Sequence, residues 1–136
     1  LQYNGVDPKK VNFLGTAAWE NKAILREPAL EGGYYSTTSD TYQTKIKNIY
    51  KKAYEKNMIN ISMIAYDILA LIGSRIDDNN EESKKYYINE RGFIGLKGLF
   101  RLTENGKVER VFQIKKIRNK KFITFEKEPE KFSSQL

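Results

Sequence analysis

The sequence predicts an α/β protein with partial sheets, flanking helices and a C-terminal β-hairpin region. Three observations carry this expectation: a strand–helix–strand order in residues 11–38, two amphipathic patterns at three-and-four spacing between residues 41 and 72, and a change to period two from Gly92 onward. The composition permits it. With 136 residues, 40% apolar and 30% charged, and with 9 Tyr, 7 Phe and 1 Trp, the chain has enough apolar mass for a packed core.

Each element is justified in turn. Val11 to Thr16 reads as a short buried strand, preceded by the turn-like Asn4-Gly5-Val6-Asp7-Pro8. Asn21 to about Glu27 suits a helix, and Pro28 ends or kinks it because proline disfavours α geometry just before it. Gly32-Gly33 then leads to Tyr34–Thr38, a strand by its aromatic and β-branched content. Strand, helix, strand suggests a parallel crossover at a sheet edge. Ser39 or Asp40 could cap the next helix, with Tyr42, Ile46, Ile49, Tyr50, Ala53 and Tyr54 as its core stripe and lysines mostly behind. Asn60 could cap a third, in which Ile61, Ile64, Ala65, Ile68, Leu71 and Ile72 form a broad apolar stripe.

Past the acidic linker Asp77-Asp78-Asn79-Asn80, Glu81 to Asn89 reads as a short amphipathic helix with Tyr86, Tyr87 and Ile88 inward. Asp77, Asp78, Glu81 and Glu82 lack the alternation and central glycine of a calcium loop, so no metal site is expected. Leu99–Leu102 leads into Glu104-Asn105-Gly106-Lys107, where Asn-Gly signals a hairpin with both central residues at positive φ. Val108–Ile117 and Phe122–Phe125 read as two further strands joined at Arg118-Asn119-Lys120-Lys121, and residues 127–136 as a flexible tail.

Composition excludes much chemistry. With no cysteine and no histidine there can be no disulfide, no thiolate or imidazole metal site, and no Ser-His-Asp or Cys-His nucleophile. No catalytic residues and no cofactor are expected; the carboxylates Glu20 and Glu27 are a formal hydrolase entry with no partner group. Residues 1–83 hold 10 basic and 11 acidic side chains, residues 84–136 hold 14 and 6. That excess, with Phe112, Phe122 and Phe125, leaves a basic nucleic-acid-binding module as the lowest alternative, although solvated lysines explain it more simply and no nucleic acid is expected. No apolar run approaches a membrane span, and the chain starts with Leu1 rather than Met, so a piece of a longer polypeptide is expected.

Five words in order, YNGVDPKKVNFLGTAAW, LREPALEGGYYST, YKKAYEKN, SMIAYDILALIG and GFIGLKGLFRLTENGKVER, extend across nearly the whole chain. They resemble the C-terminal portion of type I periplasmic solute-binding proteins of the branched-chain amino-acid receptor branch, and within it the members known as penicillin-binding protein activators. The resemblance implies two α/β lobes with a ligand held in the cleft between them, in the periplasm, with room for lipid anchoring through an upstream segment. It implies that residues 1–38 are second-lobe strand–helix–strand, 39–106 the closing helices of the first lobe, and 107–126 return strands of the second. Hinge crossings then fall near Thr37, Thr38 and Lys107. The loop Thr16, Ala17, Ala18 and Trp19 would lie at the cleft mouth, with Trp19 either a cleft wall or a buried anchor, and Tyr66 in first-lobe packing.

In amino-acid-binding members that loop supplies a glutamate for the ligand's ammonium, whereas this chain has Thr16 and alanines there. A charge-assisted hydrogen bond is thereby missing. The expected function is non-catalytic solute binding by hinge closure. The expected partners are a small molecule such as an amino acid, or a cell-wall synthesis protein if the cleft is degenerate, together with the remainder of the polypeptide.

Overall fold

In a computed structural model, the structure describes Asp7, residues 10–74 and residues 85–132. Seven strands and two helices are present there: β1 (Leu14–Gly15), β2 (Tyr34–Thr37), α1 (Thr44–Tyr54), α2 (Asn60–Gly73), β3 (Phe93–Gly95), β4 (Gly98–Leu102), β5 (Val108–Arg110), β6 (Gln113–Arg118) and β7 (Lys121–Glu126). Residues 85–87 are also helical. The chain divides into two compact units, the first formed by Leu1–Thr38 with Phe112–Glu128 and the second by Ser39–Val111 with Pro129–Leu136.

The first unit is built on a four-stranded sheet in the order β1-β2-β6-β7. β1 runs parallel to β2 in the register Leu14 to Tyr34, as a crossover connection demands. The strand expected over Val11–Thr16 shrinks to Leu14–Gly15, because only those two residues find a β2 partner. Nor does Asn21–Glu27 form an α-helix. The crossover is made of three short 3-10 turns, Ala17–Trp19, Ile24–Arg26 and Pro28–Leu30, with Pro28 at the first position of the last. Their i to i+3 bonds tighten the backbone enough to set Trp19, Ile24, Leu25 and Leu30 against Tyr35, Ile117 and Phe122. That cluster is the core of this unit.

On the same unit, β6 and β7 form a hairpin closed by Asn119 (φ 52°) and Lys120 (φ 55°). Two consecutive positive-φ residues make the primed turn whose twist matches that of the flanking strands. Asn119 N–H donates to Glu31 Oε1 at 2.8 Å, tying the turn to the crossover. The primed geometry expected at Asn105-Gly106 is absent there. Only Gly106 has positive φ, at 76°, and the longer connection is organised by Thr103, whose hydroxyl accepts from Lys107 N–H at 3.1 Å.

The second unit holds α1, α2 and the antiparallel sheet β3-β4-β5. Neither Ser39 nor Asp40 caps α1. The Ser39 hydroxyl bonds the Thr41 hydroxyl at 2.9 Å, Gln43 donates from Nε2 to Ser39 O at 2.7 Å, and the helix starts only at Thr44. Asn60 likewise lies inside α2 as its first residue, and its Oδ1 accepts from Lys97 Nζ at 3.3 Å. Only part of the expected stripe is covered: Leu71 is buried and Ile68 half-buried, while Ile61, Ile64, Ala65 and Ile72 are exposed and the other buried positions, Met63 and Asp67, lie outside the stripe. α1 buries no residue, and Ile49 and Tyr54 of its apolar stripe are exposed. A three-stranded sheet meets one narrow side of a helix, and an apolar arc wider than that is left bare.

The span Val108–Ile117, expected as one strand, is broken at Val111-Phe112 into β5 and β6, which belong to different sheets. Glu81–Lys84 and the carboxylates Asp77 and Asp78 lie outside the described residues. Tyr86 and Tyr87 are half-buried, with Tyr86 5.5 Å from the Phe93 ring centroid, while Ile88 is exposed. In the tail, Phe132 lies under the Arg101 guanidinium, 4.4 Å from its ring centroid.

Candidate functional site

The loop that follows β1 is shaped by its small residues. Thr16, at extended φ, precedes the first 3-10 turn, and its hydroxyl accepts from Ala18 N–H at 3.4 Å. Thr16, Ala17 and Ala18 are exposed; Trp19 is half-buried. Its indole lies directly over Gly15 and against Gly33, so that a Cβ on Gly15 would sit inside the ring. The ring also neighbours Tyr35, tilted by 47° with 6.3 Å between centroids. Gly15 is therefore a glycine because the aromatic plane occupies the space a side chain would need, whereas at Gly33 a Cβ would press on both the Leu30 carbonyl and the indole edge, each at 3.0 Å. Trp19 packs against the core, and three exposed small residues stand beside it.

Glu20, next in the chain, pairs with Lys115 Nζ at 3.2 Å. Lys115 is the less exposed partner, with 12% side-chain accessibility against 31%. The carboxylate closest to the loop is thus already held by a cation. Glu27 is exposed and precedes the Pro28 turn, and among the described residues no three acidic side chains gather as a metal could require. Of the three phenylalanines in the basic region, Phe122 faces the core beside Tyr35 while Phe125 contacts Tyr34 on the opposite side of the sheet. They do not form a single stacking platform.

At the division between units, Thr37 ends β2 and Thr38 follows it. Thr37 pairs with Gln113 at the start of β6, and Gln113 Nε2 donates to Thr38 O at 3.1 Å. Two chain crossings, after Thr38 and before Phe112, are thus bonded side by side. The Thr37 and Thr38 hydroxyls are buried without a hydrogen-bond partner among the described residues. Lys107 is exposed in the β4–β5 connection, and the chain leaves the second unit only after Val111.

The sequence reading overlooked Asp67. This buried carboxylate on α2 accepts from Leu96 N–H at 2.7 Å and Lys97 N–H at 3.4 Å, so it fastens the β3–β4 turn to the helix. Gly95 gives it room, since a side chain there would strike the carboxylate. Arg110 reaches Lys97 O at 3.1 Å and stacks over Phe100 at 4.9 Å. Burial pulls the Arg110 guanidinium below its ordinary value, with the Asp67 charge acting in the opposite direction. Aspartate inside an apolar run was the available signal: a charge at a helix position flanked by Tyr66 and Ile68 has to be bonded. Beside it is a concavity of about 340 Å³, lined by Tyr66, Asp67, Leu71, Tyr86, Phe93 and Phe100 among others. Tyr66 stands at its wall, 44% exposed.

No protein-family model matches the chain, and no curated protein matches it. Solved structures do. A protein assigned to branched-chain amino acid ABC transport in Rhodospirillum rubrum matches with a TM-score of 0.68 at 19% identity over 92% of this chain and 39% of its own. The branched-chain amino acid transporter substrate binding protein LivJ of Streptococcus pneumoniae, in complex with isoleucine, matches with a TM-score of 0.57 at 15% identity over 94% of this chain and 39% of its own. A solute binding protein of an ABC transporter from Rhodopseudomonas palustris, in complex with benzoate, matches with a TM-score of 0.53 at 14% identity over 85% and 35%. The fold is therefore the type I periplasmic-binding-protein fold, α/β with open sheets. This chain spans about two-fifths of the length of the proteins it matches.

Proposed function

We propose that this chain is part of a non-catalytic solute-binding protein that holds a small molecule between two lobes and responds by hinge closure. The observation that carries the reading is the match of at least nine-tenths of the chain to substrate-binding proteins, together with its division into two units joined by paired crossings. Closure follows when a solute touches both lobes and so binds the closed state more tightly than the open one. Thr37 and Thr38, with the crossing before Phe112, would be the hinge, and Lys107 would border it. The neighbours' role in ABC transport supports a periplasmic location for the whole protein. Anchoring through an upstream lipid would fit that location.

In this reading Thr16, Ala17 and Ala18 are the ligand-facing loop, with Trp19 supporting it from below. The loop offers a hydroxyl, backbone groups and no free carboxylate, because Glu20 is engaged by Lys115. A solute with an ammonium group would lack its counter-charge here. We favour a solute without one; the benzoate complex of the Rhodopseudomonas palustris neighbour is an instance on this fold. The exposed apolar arcs of α1 and α2 would be covered by the remainder of the polypeptide.

Thermal unfolding of the complete protein against amino acids and against small carboxylates tests this, since stabilisation grows with ligand concentration over its dissociation constant. A rise with carboxylates and none with amino acids is the expected outcome, and Thr16→Val should weaken the binding three- to tenfold, about 1 kcal/mol. No rise with either panel would overturn solute binding. The missing carboxylate would then favour the second reading, a degenerate cleft in a regulator of cell-wall synthesis acting through protein contacts.

A further inference from the structure

The four-stranded sheet ends at β7, and the phase of its ladder fixes which groups that edge offers. Ile117 turns its backbone toward the β2 side: its N–H donates to Gly33 O and its carbonyl accepts from Gly32 N–H, each at 2.9 Å. Alternation along β6 then turns Lys116 and Arg118 toward β7, where they face Ile123 and Lys121. The N–H and C=O groups of Phe122 and Thr124 accordingly point outward, and among the described residues no strand takes them up. The register shift beside Ile114 lies beyond Thr124, so this stretch is regular. Unpaired ladder groups are a template for another strand, and natural edges are usually blunted by short length, proline or cover. Here Lys121–Glu126 contains no proline, and Ile123 and Phe125 are 37% and 60% exposed.

We propose that the β7 edge is an interface for a second copy of this chain, paired antiparallel about Ile123. The strand's own pattern fits itself. Outward-facing residues can meet only outward-facing ones. With a two-fold axis at Ile123, Phe122 meets Thr124 of the second copy and the reverse, each pair exchanging two backbone bonds. Ile123 then stands opposite its own equivalent, on the sheet face where Phe125 packs edge-on against Tyr34. Charge selects this register. The strand begins basic, after Lys120 and at Lys121, and ends acidic at Glu126, so centring on Ile123 sets each start beside the other's end. An axis at Thr124 would bring Lys121 toward Lys127, and like charges oppose pairing; an axis at Phe122 would run Glu126 past the start of the partner strand. The interface lies wholly within the first unit and does not depend on any solute. A ladder this short buries little area, so the dimer is weak and concentration-dependent.

Analytical ultracentrifugation of the complete protein, from micromolar to millimolar concentration, reads the association. A monomer–dimer equilibrium is expected. Thr124→Pro should weaken it roughly tenfold, because proline deletes an outward N–H in each copy and leaves the β6 side of the ladder intact. If Thr124→Pro fails to fold, charge exchange decides. Lys121→Glu and Glu126→Lys each place like charges together in their own dimers and opposite charges in a mixture. Each variant alone should associate several-fold more weakly than wild type, and the equimolar mixture should recover the wild-type strength. A complete protein that stays monomeric throughout overturns the proposal, as does a dimer that the charge variants leave unchanged. Neither result bears on solute binding, which the thermal unfolding panels read separately.

Discussion

Two residues set the character of this chain, and each is explained by what its neighbours give up. Trp19 occupies the space above Gly15, so Gly15→Ala would force the ring off its seat. Overpacking of that kind typically costs 1–3 kcal/mol, and we expect a loss of about that size, seen as a lower urea midpoint with an unchanged slope. Asp67 holds two backbone amides of the β3–β4 turn. Asp67→Ala would leave a buried N–H unpaired at a cost of about 1–3 kcal/mol. Asp67→Asn keeps one acceptor oxygen and should lose less, so the ordering Ala below Asn below wild type in thermal unfolding checks the assignment. The role of Trp19 was half legible in the sequence, as the residue was singled out but its seat was not. Asp67 was hidden because a pattern of apolar spacing treats a lone charge as an interruption rather than as a bond.

The elements show where local signals suffice and where they do not. β2 and the parallel pairing of β1 with it were readable because the aromatic, β-branched run Tyr34–Thr37 and the double glycine before it leave few alternatives. The crossover was not, because short 3-10 turns and a helix share their residue preferences and differ only in what the turn packs against. The turn chemistry was inverted: Asn105-Gly106 drew attention, yet the primed turn is at Asn119-Lys120. Lysine there carries a left-handed backbone at about 1–2 kcal/mol relative to its usual conformation. Lys120→Gly should relieve much of that cost and raise stability by about 1 kcal/mol, a rise in melting temperature that calorimetry would detect. A fall instead would show that the loss of glycine's freedom on folding outweighs the relief.

At the scale of the molecule, the α/β class was within reach of the sequence because five words stood in a fixed order. The covered side of each helix was not, because that depends on which surfaces a neighbour reaches. Leu69 is 68% exposed on α2, inside an apolar arc. If the remainder of a longer polypeptide lies over this arc, Leu69→Ala costs the complete protein about 2–5 kcal/mol. The same change in the 136-residue chain alone costs no more than about 0.5 kcal/mol. Chemical denaturation of both proteins separates these outcomes, and equal losses would show that the arc stays wet. Trp19 is the one indole in these residues, half-buried on aromatic neighbours with three solvent-facing small residues at its shoulder. Its fluorescence is thus a built-in gauge: a guest settling on the adjacent loop would dry one edge of the chromophore and move its emission toward the blue, with no dye attached.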